Sequence, residues 1–200
     1  FNPKMSLQAL FIGLSPFGMI MSPSLIVILN NLQCLKYGGE IAVSAYSVAN
    51  YIYSSTLLFF EGVAEGCQPM ISFFKGAREY KLMKRVFKKG IIAALILSAF
   101  FILAVFIFKN KVGLIFGAST EANNIIIFAL PIIAVAFLMQ SIDRLGTAYF
   151  YSSGNGFYST LMTYIDPLFI SPLCILILPI FFKLNGVWFA IPTAQGILLI

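Results

Sequence analysis

Two carboxylates, Glu61 and Glu65, stand four residues apart in "FFEGVAEGCQP" (59–69), the only charges between residues 41 and 74. On a helix such a pair lies one turn apart on a single face. There it can exchange protons, hold Na⁺ or attract an organic cation, and the residue types do not choose among these. A second cluster, in "MQSIDRLGTAYFY" (139–151), brings together Gln140, Asp143, Arg144, Thr147 and Tyr151. Asp143 and Arg144 point ~100° apart on a helix, so each seeks a partner elsewhere, and a glutamate of the first pair is a candidate for Arg144. A local salt bridge that neutralises both is the plainer alternative. Asp166 ranks below these acids, because it precedes Pro167 and could do no more than satisfy backbone groups that the proline leaves unpaired.

Other chemistry finds no residues to carry it. The chain contains no His, and Cys34, Cys67 and Cys174 are isolated from one another, so no metal site or disulfide framework is expected and the cysteines read as small apolar fillers. No nucleophile motif or phosphate-binding loop supports an enzyme. No cofactor is expected beyond Na⁺ or H⁺ as a coupling ion.

Composition dictates the medium in which these acids sit. The 200 residues are 60% apolar and 10% charged, with a mean hydropathy of +0.95, whereas a soluble domain needs roughly 25% charged residues to cover its surface. A polytopic membrane protein follows. It begins at Phe1 and stops at Ile200 inside an apolar run, which reads as a fragment cut from a longer chain. Runs such as "GIIAALILSAFFILAVFIF" (90–108) do not alternate as barrel strands must. The expected fold is therefore all-α, a bundle of about six transmembrane helices in one domain over 1–200. The spans fall near 6–32, 41–74, 86–108, 124–150, 157–182 and 187 onward. Pro16, Pro23, Pro69, Pro131, Pro167, Pro172 and Pro179 fall inside them and would kink or open them locally.

The stretch 75–89 holds Lys75, Arg78, Lys81, Lys84, Arg85, Lys88 and Lys89 against one acid, Glu79. It is expected to be a cytoplasmic loop, with Lys109 and Lys111 outside against the trend. The net charge of +6 thus reports topology and not a nucleic-acid partner.

Rotation about the second span is better determined than depth. At 100° per residue, Ser47, Asn50, Tyr51, Ser54, Glu61, Glu65, Gln68 and Ser72 share one side, while Ile52, Phe59, Val63 and Met70 point elsewhere. A carboxylate at mid-membrane costs at least ~2.5–3.5 kcal/mol and normally faces protein or water, so the stripe should line a hydrated cavity. Glutamates that are merely interfacial and solvated are the alternative. Asp143, if its helix ends near Tyr151, lies ~12 Å from the cytoplasmic end and near the midplane. Glu61, Glu65 and Asp143 are the candidate ion-coupling residues. Asn50, Tyr51, Ser54, Gln68, Gln140, Arg144 and Thr147 are candidates for the substrate cavity. Tyr46, Tyr51 and Tyr149 could add cation–π contacts.

Several local patterns also occur together in a familiar order. "LQCLKYGGEIAVSAYSVAN" (32–50) precedes "EGVAEGCQPMISFFKGAREYKLMKRVFKKG" (61–90), with Tyr37-Gly38-Gly39 before the second span and Gly66, Gln68, Pro69, Ser72 and Gly76 leading into the basic stretch. "AYFYSSGNG" (148–156) and "LNGVWFAIPTAQG" (184–196) follow. The chain resembles the carboxy-terminal six-helix lobe of the multidrug and toxic compound extrusion (MATE) transporters. That resemblance implies one lobe of a twelve-helix carrier, with the amino-terminal lobe missing. It also implies export of drugs or organic cations in exchange for Na⁺ or H⁺, from a bacterial cytoplasmic membrane. Na⁺-coupled members place carboxylates in the spans that correspond to the first and fourth here. Asp143 suits the latter; the first span carries only Asn30 and Asn31 near its outer end, which moves coupling towards Glu61, Glu65 or the missing lobe. Gln195 stands where an acid is common in the family. A lipid-linked oligosaccharide flippase of related architecture is the rival reading, and it would call for a more basic cavity.

Overall fold

The computed structural model describes the backbone of residues 3–199 and the side chains of residues 23–155 and 157–199. Its first element, α1 (Pro3–Gly76), is one helical run whose direction changes at Gly39, with φ 67° and ψ −165°. That region of backbone space is essentially closed to residues with a Cβ. The two arms, residues 3–38 and 40–76, then face a common interior: Ile26 and Val27 of the first share a cavity wall with Tyr46 and Asn50 of the second. The neighbouring glycine serves a different purpose. A Cβ on Gly38 would stand 2.9 Å from Leu184 Cδ2, so its lack of a side chain allows the close approach of a later helix.

The remaining elements are α2 (Tyr80–Ile115), α3 (Thr120–Ser152), α4 (Gly156–Ile165), a π-helical turn (Asp166–Ile170), α5 (Ser171–Phe182) and α6 (Leu184–Leu198). With α1 counted as two arms and α4 through α5 as one continuous passage, six helical segments correspond to the six expected spans. No strand occurs among the described residues. The stretch 75–89 is not the expected loop. Apart from a turn at residues 77–79 it is helical, with Tyr80 to Lys89 forming the start of α2. Lys and Arg are good helix formers, so the edge of the apolar run marked where charge ends and not where the helix begins. Lys81, Lys84, Arg85, Lys88 and Lys89 are exposed on it, while Met83 and Gly90 are buried.

Most of the prolines leave the helical run unbroken. Pro131 and Pro179 sit inside helices that continue through them, Gly39 is the one position of non-helical backbone within α1, and Pro167 and Pro172 stand at the two ends of the π-helical turn. The side chain of Pro16 lies outside the described residues.

Burial separates the helices by role. In α3, Ile126, Leu130, Ile133, Phe137, Gln140, Asp143 and Leu145 are buried, as expected of a central helix with contacts all round. In α2, by contrast, Ile92, Ile96, Phe100, Leu103 and Phe106 are exposed and form a face for lipid. Among the described residues, three helical passages are long and apolar enough to cross a membrane, Tyr80–Ile115, Thr120–Ser152 and Phe157–Phe182, each with an 18-residue stretch of mean hydropathy 3.1, 2.5 and 2.2 respectively. The chain is a multi-pass integral membrane protein.

Candidate functional site

The second arm of α1 and the part of α3 nearer Ser152 bring the two polar clusters into the lining of one cavity of about 390 Å³. Asn50, Ser54, Glu61 and Glu65 come from one cluster and Gln140, Asp143, Arg144 and Thr147 from the other. Arg144 Nη1 lies 3.4 Å from Glu61 Oε1, longer than a charge-assisted hydrogen bond of ~2.7–2.9 Å. Both side chains keep contact with solvent, 36% and 41% exposed respectively. Ser54 and Glu65 are exposed outright, so the cavity is open on that side.

Two expected lining residues are elsewhere. Tyr51 is 65% exposed and stacks on Phe116 at the end of α2, with ring centroids 6.1 Å apart. It stands 100° round the helix from Asn50, outside the arc that faces the cavity. Gln68 points the same way as Asn50 but lies five turns further along, beyond the cavity lining. Past it the helix closes onto α3: Ser72 Oγ donates to Ser152 O at 3.3 Å and Lys75 Nζ to Ser153 O. Tyr151 is exposed. Tyr149 packs on Phe87; of the aromatics named from the sequence, only Tyr46 lines the cavity, and Tyr53 joins it. Helical periodicity supplies an angle, and neither an arc nor a depth.

Depth follows from one close contact. A Cβ on Gly90 would meet Cys67 Sγ at 2.9 Å and Leu145 Cδ2 at 3.0 Å, so Gly90, Cys67 and Leu145 are level. Gly90 is also the first residue after Lys88 and Lys89 and opens the charge-free run of α2. Measured from that level at 1.5 Å per residue, Asp143 and Glu65 lie ~3 Å and Glu61 ~9 Å towards the membrane centre. Along the helices Asp143 is therefore level with the start of the charge-free run of α2 and not with its middle. The estimate from the helix end placed it deeper because α3 continues past that level to Ser152.

The acid that the sequence ranked last is the most highly coordinated. Asp166 opens the π-helical turn, a feature that recurs at functional sites. Its Oδ1 accepts from Ser171 Oγ at 2.7 Å and its Oδ2 from Gln195 Nε2 at 2.9 Å. Its partners are side chains on α5 and α6, not backbone groups freed by Pro167. It lies ~15 Å from the start of α4. All three residues line the cavity, where Pro23, Ile26, Met162 and Ile175 add an apolar wall. The available sequence signal was the five-residue interval from Asp166 to Ser171, the repeat of a π turn.

Among the described residues the lining thus holds four carboxylates, Glu61, Glu65, Asp143 and Asp166, against the single guanidinium of Arg144. Asn30, in the first arm, is not among the lining residues; it is fully buried and donates to Ile26 O at 2.9 Å. Among the described residues no group of His, Cys, Asp and Glu is placed to hold a metal ion.

A family model described as MatE matches residues 11–176. The chain belongs to the MatE family. It is 24% identical over 196 residues to the multidrug export protein MepA of Staphylococcus aureus (strain MSSA476), covering 98% of this chain and 43% of MepA. Its fold matches a multidrug resistance MATE transporter of the MOP superfamily solved in an inward-facing conformation, with a TM-score of 0.90 and 19% identity, over 99% of this chain and 46% of that one. An outward-facing MATE transporter matches with a TM-score of 0.84 and 20% identity, over 93% of this chain and 42% of that one. This MatE chain therefore spans less than half the length of the proteins that it resembles, and the likeness extends almost from end to end of what it contains.

Proposed function

We propose that the chain is the carboxy-terminal half of a secondary transporter of a bacterial membrane. In this reading it exports drugs or organic cations by alternating access in exchange for Na⁺ or H⁺, together with an amino-terminal lobe of the same protein. The observation that carries the reading is the cavity's charge: four carboxylates and one guanidinium make a lining that attracts cations. The name of the relative MepA, a multidrug export protein, points the same way. Two lobes rocking about a site between them is the general logic of such carriers. Glu61, Glu65 and Asp143 are the residues assigned to ion coupling. They sit where a bound cation and a coupling ion would compete for the same negative charge.

A flippase for lipid-linked pyrophosphates is disfavoured by the same lining, because its only cation among the described residues, Arg144, already faces Glu61. Nor does the lining suggest a reaction, so the chain is read as a carrier and not an enzyme.

Drug efflux by the full-length parent, measured for Glu61→Gln, Glu65→Gln and Asp143→Asn, tests the assignment. Efflux is expected to fall at least about tenfold in one or more of them, as for the loss of a group that must be charged in one step and neutral or occupied in another. Wild-type efflux in all three variants would remove these residues from the coupling mechanism. Transport into vesicles under an imposed Na⁺ or pH gradient identifies the ion.

A further inference from the structure

Positive charge at the start of α2 would serve orientation wherever it stood round the helix, yet it is not spread evenly. With Arg85 as the reference and 100° per residue, Lys81, Lys88 and Lys89 fall within ~60° of it. All four are exposed. The same arc carries the exposed Ile92, Ile96, Leu103 and Ile107 further along the helix. The buried Met83, Gly90, Ala94, Ser98 and Val105 lie ~140–180° away, on the side that packs against α1 and α3. The basic residues therefore continue the lipid-facing stripe in line. Lys84 is also exposed, but at ~100° from Arg85 it stands outside the arc.

These cations are uncompensated within the chain. Among the described residues the ion pair that forms is Arg144 with Glu61, and none of the four pairs with a carboxylate. Lys81 with Arg85, and Arg85 with Lys89, are instead like charges one turn apart, an arrangement that by itself destabilises a helix.

We propose that Arg85, Lys88 and Lys89, supported by Lys81, form a headgroup site for an anionic phospholipid whose acyl chain lies along Ile92 and Ile96. Residues three and four apart on a helix have Cβ atoms ~5–6 Å apart, so the three long side chains can converge on one phosphate. Arg85 offers a planar fork that matches two phosphate oxygens, and each lysine adds a point charge. Ile92 begins ~5 Å further along the axis, where the chain of a lipid held by its phosphate would start. A zwitterionic headgroup brings its own cation beside the phosphate and gains less. A soluble polyanion such as RNA could meet the charges but makes no use of the apolar continuation. The inference is independent of what the central cavity carries.

The test reads which lipid occupies this face. Ile96→Trp is introduced into the full-length parent, which is reconstituted in phosphatidylcholine bilayers containing increasing dibrominated phosphatidylglycerol. Bromine quenches a neighbouring tryptophan, and the quenching is taken as the difference from the same protein without the added tryptophan. The anionic lipid is expected to be preferred at least about fivefold, the effect of roughly one cation near a charged surface. In this background Arg85→Gln, Lys88→Gln and Lys89→Gln should each lower the preference, and together bring it below about twofold. Lys84→Gln removes the same charge outside the arc and should leave the preference unchanged. A preference near one, a preference that survives the triple substitution, or a loss as large for Lys84→Gln as for Arg85→Gln would overturn the inference. So would the absence of quenching by the brominated forms of both lipids. Binding of an RNA oligomer to the protein in pure phosphatidylcholine, together with a preference near one, would place the partner in water and overturn it too. No transported compound enters the measurement, so each of these failures leaves the carrier reading standing. Ile92→Trp supplies a second reporter one turn away if Ile96→Trp fails to fold, and the preference at either reporter is decisive without the lysine and arginine variants.

Discussion

At the scale of single residues, the Arg144–Glu61 pair joins two walls of the cavity without locking them. Its separation of 3.4 Å and its exposure of more than a third on both sides place it with partly solvated ion pairs, whose coupling is under ~1 kcal/mol. A double-mutant cycle of Glu61→Gln and Arg144→Gln, followed by thermal unfolding of the full-length parent, should therefore return a coupling energy below about 1 kcal/mol. A value near 3 kcal/mol would instead mark a buried, structural bridge. A weak pair suits the proposed carrier, in which Arg144 would release Glu61 as the cavity changes access. That Arg144 would seek a glutamate of the other cluster was legible in the sequence, because each helix shows its own polar face. The Asp166–Gln195 contact was not legible. Its members lie 29 positions apart on different helices, and periodicity orders residues round one axis only.

At the scale of elements, Gly39 determines whether the first two passages face a common cavity. Its backbone, at φ 67° and ψ −165°, is glycine territory, and nothing crowds a Cβ there, so the cost of substitution is conformational alone. Gly39→Ala should destabilise the full-length parent by roughly 1–3 kcal/mol. Gly62 offers the opposite case on the same element: it is helical, without positive φ, and a Cβ there meets nothing within 4 Å. Gly62→Ala should be neutral or stabilise by up to ~1 kcal/mol. Parallel thermal-unfolding curves for the two variants check both signs, and a common sign would refute the account. The sequence showed Tyr37-Gly38-Gly39 between two apolar runs, enough to separate the spans. It could not show that one glycine supplies a reversal and the other a contact with Leu184, since the second fact belongs to a helix that begins well over a hundred residues later. Span positions were legible because they depend on apolar length. The helical start of α2 was not, because charged residues form helix as readily as apolar ones.

At the scale of the whole molecule, orientation decides which side of the membrane the carboxylates address. The basic residues from Lys75 to Lys89 cluster at one end of the bundle, where Lys75 and Ser72 bind the end of α3. By the rule that basic residues remain inside, this end is expected to be cytoplasmic. Glu65 and Asp143 lie close to the Gly90 level, so with this orientation the proposed carrier would load them from the cytoplasmic side. The turns between helices convert this into an expectation at three exposed positions. Ala77 and Asn155 lie in turns at the basic end, and Thr120 begins α3 at the other. In a cysteine-free full-length parent, a membrane-impermeant maleimide added to intact cells should label Thr120→Cys and spare Ala77→Cys and Asn155→Cys. Permeabilising the cells should expose the latter two. The reverse pattern would put Lys109 and Lys111 inside and the seven basic residues outside. It would also turn the acidic wall of the cavity towards the external boundary, which would require the carboxylates to load from outside. Because the three sites sample both ends of the bundle, a mixed result, with Ala77→Cys and Asn155→Cys on different sides, would contradict the antiparallel passage of α2 and α3 on which the cavity depends.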